Sequence, residues 1–125
     1  MSFKFLVVDD SVTMRRIVTN SLKTLGYADF VEAVDGQDAL NKLKADKSIN
    51  FIITDWNMPN MTGLELTQSV RGNAETAEMP ILMVTTRGVK DDILQALQAR
   101  VNNYVVKPFT PQILKDKLDQ IIDKL

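Results

Sequence analysis

The chain has 125 residues, of which 45% are apolar and 25% charged, as is typical of one soluble globular domain. It contains no cysteine and no histidine, which excludes disulfides, thiolate metal sites, cysteine nucleophiles and Ser-His catalytic pairs. The formal net charge of −1 favours neither nucleic acid nor an anionic membrane as a partner. No apolar run approaches the ~20 residues of a membrane span, and the acidic start is not a signal peptide. We therefore expect one cytoplasmic domain over residues 1–125 that binds only hard cations, through oxygen.

Short apolar runs alternate with amphipathic segments along the chain, and this alternation predicts a parallel α/β sheet. Five strands are predicted, at residues 3–8, 30–34, 51–54, 81–84 and 104–106. A helix follows each strand. The first of these helices should begin after Ser11 as its N-cap and end at Gly26. Right-handed crossovers then place helices on both faces of the sheet.

Some local features of the later helices are also predicted. Asp35-Gly36 is interpreted as a turn before the second helix. In the fourth helix, at residues 91–99, the periodicity predicts that Ile93, Leu94 and Leu97 face inward. Pro111 is a favourable first residue for the fifth helix.

Polar side chains stand where the predicted strands end. Asp9 and Asp10 follow the first strand, Asp55 the third, Thr85 the fourth and Lys107 the fifth. Each residue alone has an ordinary explanation as a helix cap, a turn residue or a surface charge. Ligands of such sheets bind beyond the carboxyl ends of the strands, so the shared position favours a common site.

Three converging carboxylates repel one another and raise each other's pKa unless a cation compensates them. Mg²⁺ is the best fit, because it prefers oxygen ligands and is commonly held by carboxylates together with a substrate phosphate. Lys107 could bind one phosphoryl oxygen while the metal binds another. The residues therefore indicate a phosphoryl-transfer site with an aspartate as the candidate nucleophile.

Several motifs in this arrangement closely resemble those of the receiver domain of bacterial response regulators, especially its chemotaxis members. They are Asp9-Asp10-Ser11, Thr13-Met14-Arg15-Arg16, the run from Asp55 to Met61, Met83-Val84-Thr85 and Tyr104-Val105-Val106-Lys107-Pro108. The resemblance covers essentially the whole chain. It implies an α/β, flavodoxin-like fold with a five-stranded parallel sheet in the order 2-1-3-4-5. That order is taken from the family, since hydrophobic periodicity does not fix the order of strands.

The resemblance also implies functional roles for individual residues. Asp55 would accept a phosphoryl group from a histidine kinase or a small phosphodonor. Mg²⁺ would be bound by the carboxylates of Asp10 and Asp55, by the backbone carbonyl of Asn57, and by Asp9 through water.

A conformational switch is implied by the same resemblance. Thr85 would donate a hydrogen bond to a phosphoryl oxygen, and Lys107 would pair with another. The inward movement of Thr85 would let the ring of Tyr104 rotate inward and reshape the face formed by the fourth helix, fifth strand and fifth helix. The peptide bond between Lys107 and Pro108 would be cis.

The chain departs from the family pattern at three positions. Arg100 stands where a glycine usually ends the fourth helix, so it must adopt a positive φ or the turn is rebuilt. Thr86 is bulkier than the usual alanine and would hinder the inward position of Tyr104. Arg87, with Asn57 and Thr86, would tune the rate of dephosphorylation.

These inferences predict a stand-alone, monomeric response regulator that carries a chemotaxis signal from a histidine kinase to the flagellar motor switch. It would catalyse only its own phosphorylation and dephosphorylation. A phosphatase or a histidine phosphotransfer protein is a further expected partner, whereas nucleic acid and membrane are not.

Three alternatives remain open at this point. The first is a phosphorelay shuttle or phosphate sink with the same aspartate chemistry. The second is an aspartate-dependent phosphatase of small molecules, although such enzymes usually carry Asp-x-Asp where this chain has adjacent Asp9 and Asp10. The third is a flavodoxin-like redox carrier, which would need a hydroxyl- and glycine-rich phosphate loop after the first strand.

Overall fold

Strands and helices alternate in the computed structural model, which describes residues 2–86 and 90–125. The strands are β1 (Phe5–Val8), β2 (Phe30–Ala33), β3 (Phe51–Asp55), β4 (Ile81–Thr85) and β5 (Asn103–Val106). The helices are α1 (Val12–Thr24), α2 (Gly36–Ala45), α3 (Gly63–Arg71), α4 (Lys90–Gln98) and α5 (Pro111–Ile122). None of the helices in this described part of the chain combines the length and apolar character needed to cross a membrane.

All five strands form one parallel sheet in the order β2-β1-β3-β4-β5. The α/β fold and the strand order implied by the family resemblance are thus confirmed. In the register, Val8 lies beside Thr54, Asp55 beside Val84 and Thr85 beside Val106. The carboxyl ends of the strands therefore meet at one edge of the sheet, which we call the carboxyl edge.

The sheet separates two hydrophobic layers, because successive strand residues point to opposite faces. Phe5 and Val7 of β1 pack in the layer that contains Leu22 of α1 and Leu118 of α5. Leu6 and Val8 pack in the opposite layer, with buried residues of α2, α3 and α4. Full burial of one such side chain stabilises the fold by roughly 1.5–3 kcal/mol. The two layers hold the carboxyl edge rigidly in place.

The ends of α1 and α5 follow the local sequence signals. The hydroxyl of Ser11 accepts a hydrogen bond from the backbone N–H of Met14 at 3.2 Å, as the predicted N-cap should. Gly26 follows the last turn of α1 with φ 94°, a conformation that costs glycine little. Pro111 is the first residue of α5, after Thr110 as N-cap. The strand predicted from Phe3 begins only at Phe5, although Phe3 is buried.

The interpretation of Asp35-Gly36 as a turn is wrong. Asp35 is the N-cap of α2, and its Oδ1 accepts a hydrogen bond from the backbone N–H of Asp38 at 2.8 Å. Gly36 is the first residue of the helix. The first backbone N–H groups of a helix lack partners within the helix, and the Asp35 side chain accepts a hydrogen bond from one of them.

The prediction that Leu94 and Leu97 face inward is also wrong. These side chains are 46% and 45% exposed, whereas Ala96 is 1% exposed and forms the packed face of α4. Ile93 is half-buried. Helical periodicity shows which residues share a face, but the small Ala96 lets the helix approach the sheet on a different face.

The turn after α4 contains Arg100 at φ 71°. Of the two expected alternatives, a positive φ and a rebuilt turn, the structure has the positive φ. Its carbonyl oxygen accepts hydrogen bonds from Arg71 Nε at 3.0 Å and Nη2 at 2.9 Å. The Lys107–Pro108 peptide bond is cis, as the resemblance implied.

Candidate functional site: an acidic cluster at the carboxyl edge

Three aspartates meet at the carboxyl edge of the sheet. Asp9 and Asp10 directly follow β1, and Asp55 is the last residue of β3. Asp9 and Asp55 are buried and Asp10 is exposed, and carboxylate oxygens of the three lie within 4.8 Å of one another. The parallel register of β1 and β3 thus produces the convergence that the strand-end positions predicted.

Asp9 is fixed by hydrogen bonds to both its side chain and its backbone. The backbone N–H of Ser11 donates to Asp9 Oδ1 at 2.9 Å. Arg15 Nη1 donates to the Asp9 carbonyl oxygen at 2.7 Å, and Arg15 Nε pairs with Glu32 Oε1 at 3.1 Å. No structural role was predicted for Arg15 from the sequence. Its position four residues after the N-cap Ser11, on the first turn of α1, was the only available signal.

Asp55 is held through its backbone and one carboxylate oxygen. The backbone N–H of Trp56 donates to Asp55 Oδ1 at 2.8 Å, and Thr54 Oγ1 donates to the Asp55 carbonyl oxygen at 2.9 Å. Gly63 lies so close that a Cβ atom at this position would collide with the Asp55 carbonyl oxygen. The backbone that carries the Asp55 carboxylate is therefore held in a fixed position at the sheet edge.

Lys107 links two of the aspartates. Its Nζ lies 3.2 Å from Asp9 Oδ2 and 3.2 Å from Asp55 Oδ1. Burial raises the pKa of the Asp55 carboxyl and the charge of Asp9 raises it further, while the Lys107 ammonium lowers it. Burial, together with the neighbouring Asp9 carboxylate, thus outweighs the attraction of this one ammonium.

The donor set of this cluster suits a hard divalent cation. Its groups are carboxylate oxygens, and the chain contains no cysteine thiolate or histidine imidazole that could bind a softer metal there. A cation bound there would also relieve the repulsion that raises the pKa of Asp55. The arrangement can therefore bind a metal and hold an oxygen nucleophile at the same place.

Thr85 and Tyr104 lie on the two strands beyond Asp55. Thr85 is the last residue of β4, is buried, and has a carbonyl oxygen that accepts a hydrogen bond from Lys107 N at 2.8 Å. Tyr104 lies in β5 beside Met83 and is half-buried. The Lys117 ammonium lies 5.0 Å from the centroid of the Tyr104 ring, in a cation–π geometry.

The remaining predicted residues surround the cluster. Asn57 is exposed and lies two residues after Asp55, and Thr86 is exposed directly after β4. Arg87 lies outside the described residues. The structure thus brings together Asp9, Asp10, Asp55 and Lys107, and places Asn57, Thr85 and Thr86 at the same edge.

A contact that was not predicted from the sequence joins the loop after β3 to α2. Asn60 Nδ2 donates a hydrogen bond to Asp35 Oδ2 at 2.7 Å. Asparagine is the residue besides glycine that most often adopts a positive φ, so Asn60 carried a local signal for a bend. Nothing in the sequence pointed to its partner 25 residues away.

The sequence matches the family model described as response regulator receiver domain over residues 5–119. It is 54% identical over 119 residues to the chemotaxis protein CheY1 of Helicobacter pylori, covering 95% of this chain and 96% of that protein. It is 53% identical over 119 residues to the chemotaxis protein CheY homolog of Campylobacter jejuni, covering 95% and 92%.

Solved structures share the fold over nearly the full length. The chemotaxis response regulator CheY4 of Vibrio cholerae matches with a TM-score of 0.88 and 35% identity, covering 97% of this chain and 99% of that one. A receiver domain of a sensor histidine kinase from Pseudomonas aeruginosa, with a magnesium ion coordinated in its active site cleft, matches with a TM-score of 0.85. Its identity is 25%, with coverage of 98% and 99%.

Proposed function

The chain belongs to the response regulator receiver domain family and is a chemotaxis response regulator, and we propose that it is switched by phosphorylation of Asp55 by a histidine kinase. One observation carries this proposal: the buried Asp55 carboxylate lies within 4.8 Å of two further carboxylates and 3.2 Å from Lys107. We further propose that residues 1–125 act as a single monomeric domain.

The transfer step is a displacement at phosphorus. The contacts of Trp56 N–H and Lys107 fall on Asp55 Oδ1, and we assign the attack to Oδ2. The new bond joins this oxygen to phosphorus, while the phosphorus–nitrogen bond of the donor phosphohistidine breaks and its imidazole leaves. Lys107 would stabilise charge on a phosphoryl oxygen, since its ammonium already lies beside the nucleophile.

The metal of this reaction is proposed to be Mg²⁺. Asp10 and Asp55 would hold it by their carboxylates, Asn57 by its backbone carbonyl and Asp9 through water. The oxygen-only donor set supports this assignment, as does the magnesium ion in the similar Pseudomonas aeruginosa domain. Bound Mg²⁺ would offset the carboxylate repulsion and withdraw charge from the phosphoryl group.

Phosphorylation is proposed to shift a two-state equilibrium through Thr85 and Tyr104. The Thr85 hydroxyl would donate to a phosphoryl oxygen, and the ring of Tyr104 would move inward behind it. A shift from 1:99 to 99:1 needs roughly 5.5 kcal/mol of differential interaction. Two or three hydrogen bonds to a charged group, at about 1.5–3 kcal/mol each, would supply that difference.

The output would be a protein contact on α4, β5 and α5. These elements expose apolar side chains, which supports a partner surface there: Leu94, Leu97, Val106 and Ile113. The proposed partner is the flagellar motor switch protein. Dephosphorylation, by the chain itself or by a separate phosphatase, would be tuned by Asn57, Thr86 and Arg87.

Labelling by acetyl phosphate in Mg²⁺ tests the acceptor. Asp55→Asn should abolish the label because the amide is a poor nucleophile, whereas Asp46→Asn, at the opposite edge of the sheet, should label normally. Mass spectrometry of the intact protein measures both variants. Undiminished labelling of Asp55→Asn would identify another acceptor and refute the proposal.

A pull-down with and without a beryllofluoride mimic of the phosphoryl group then tests the output. Capture of the motor-switch protein only with the mimic would support the chemotaxis output. Transfer of phosphate onward to a histidine phosphotransfer protein, without such capture, would favour the relay or phosphate-sink role instead.

A further inference from the structure

The loop between β3 and α3, residues 56–62, contains a sharp bend at Asn60. Asn60 has φ 66°, and the backbone N–H of Met61 donates to the carbonyl oxygen of Pro59 at 2.7 Å. A three-residue turn with a positive φ at its centre is rare and strained. Such backbone conformations cost about 1–3 kcal/mol and persist only where surrounding contacts impose them.

The side chain of Asn60 supplies one of these contacts. Its Nδ2 donates to Oδ2 of the buried Asp35 at 2.7 Å, while Asp35 Oδ1 accepts from the backbone N–H of Asp38 at 2.8 Å. Both bonds lower the pKa of Asp35, so its carboxylate stays charged and accepts strongly. One side chain thus caps α2 and anchors the bend.

A second contact lies beside the first. Gly36, the first residue of α2, faces the side chain of Met61, and a Cβ atom at position 36 would lie 2.7 Å from Met61 Cγ. Two consecutive loop residues therefore rest against two consecutive residues at the start of α2. Since α2 packs into the core through Ala39 and Leu43, this support is rigid.

The other end of the loop is fixed to α3. The backbone N–H of Gly63 donates to the Trp56 carbonyl oxygen at 2.9 Å. Asn57 follows Trp56 immediately and precedes the Asn60 anchor by three residues. The backbone of Asn57 is thus confined between two fixed points of the loop.

We propose that Asp35 and Asn60 are positioning residues for the metal site, which hold the loop in the shape that presents the Asn57 backbone carbonyl to Mg²⁺. Neither residue is a ligand; both act through the shape of the loop. The inference rests on the proposed function, because that function supplies the metal. Partners that orient a ligand typically change metal affinity 10–100-fold when they are removed.

Two substitutions remove the contact from opposite sides while preserving local structure. Asp35→Ser keeps an N-cap acceptor for α2 but is too short to reach Asn60. Asn60→Gly keeps a residue that adopts a positive φ easily but removes the amide donor. Each should raise the Kd for Mg²⁺ roughly tenfold, measured by the fluorescence of Trp56 on titration with MgCl₂. The double variant should lose little more than either single variant, because both remove the same contact.

Hydrogen exchange of the metal-free protein gives an independent measurement. The backbone amides of residues 58–62 should exchange faster in both variants, while those of the β-strands stay protected. Thr76→Val is the matched control, since it removes the hydrogen bond from Thr76 Oγ1 to the Val70 carbonyl at 2.7 Å, away from the site. It should lower stability and leave the Mg²⁺ affinity unchanged.

Normal Mg²⁺ affinity in both Asp35→Ser and Asn60→Gly would overturn the inference alone. Additive losses in the double variant would also overturn it, because the two residues would then act separately. A wild-type protein that binds no Mg²⁺ would overturn the proposed function and the inference together, which distinguishes the two failures.

Discussion

Ion pairs at the two edges of the sheet differ in their exposure to solvent. At the carboxyl edge, Lys107 lies 3.2 Å from both Asp9 and Asp55, and all three side chains are largely withdrawn from solvent. At the amino edge, the ion pair of Lys47 and Glu75 has a similar distance of 2.7 Å, but each side chain is 68% exposed. Ion pairs of similar length thus differ widely in their exposure to solvent.

This difference in exposure determines how much an ion pair affects the free energy of unfolding. An exposed pair exchanges good hydration for a screened attraction and contributes little. A buried pair loses its hydration, so removal of one partner leaves an uncompensated charge in the interior. The carboxyl edge thus carries a cost in folding free energy that a bound cation would offset, whereas the exposed Lys47–Glu75 pair carries little such cost.

Replacement of the buried ammonium should have the largest effect. Lys107→Met leaves Asp9 and Asp55 unpaired, and we expect the metal-free protein to lose about 3 kcal/mol of unfolding free energy. Urea denaturation with and without Mg²⁺ measures the loss, which the metal should partly restore. Lys47→Met is the matched control and should leave the denaturation midpoint unchanged. Equal effects of the two substitutions would refute the contrast between the edges.

Removal of one buried carboxylate should instead raise the free energy of unfolding. Asp55→Asn ends its repulsion with Asp9, so we expect the metal-free protein to gain about 1 kcal/mol or more at neutral pH. Because folding raises the pKa of Asp55, the folded state binds more protons than the unfolded state just above pH 3.8. Wild-type stability therefore falls as the pH rises through this window, relative to Asp55→Asn. Thermal unfolding in EDTA at several pH values measures the difference, and a gain independent of pH would contradict the assigned cause.

The smallest effect is expected at the amino edge, in the turn before β5. Arg100→Gly relieves a positive φ that costs a residue with a Cβ atom about 1–2 kcal/mol. Glycine also increases the entropy of the unfolded chain, which lowers the stability by roughly 0.4–1 kcal/mol. The expected net gain in unfolding free energy is therefore about 0.5 kcal/mol. The hydrogen bonds from Arg71 to the carbonyl of residue 100 should survive. Denaturant unfolding checks the sign, and a destabilised variant would show that the Arg100 side chain itself contributes.

The sequence permitted prediction of the fold and of the cluster at the carboxyl edge for one physical reason. Buried parallel strands produce continuous apolar runs, and the residues directly after them, such as Asp9 and Asp55, must lie at one edge. Strand order came from the family resemblance alone.

Two of the features that sequence reasoning missed depend on tertiary contacts. The hydrogen bond between Asp35 and Asn60 spans 25 positions, and no local pattern encodes it. The outward orientation of Leu94 and Leu97 depends on which face of α4 fits the sheet, which periodicity does not specify. Local signals were sufficient at Ser11, which caps α1, and at Pro111, which begins α5.

The close contact of Gly63 with the Asp55 carbonyl limits how this protein could be redesigned. Even one methyl group at position 63 would displace either α3 or the end of β3 that bears the nucleophile. Engineering of altered chemistry must therefore vary the exposed rim of the cluster and leave the floor beneath it as bare backbone.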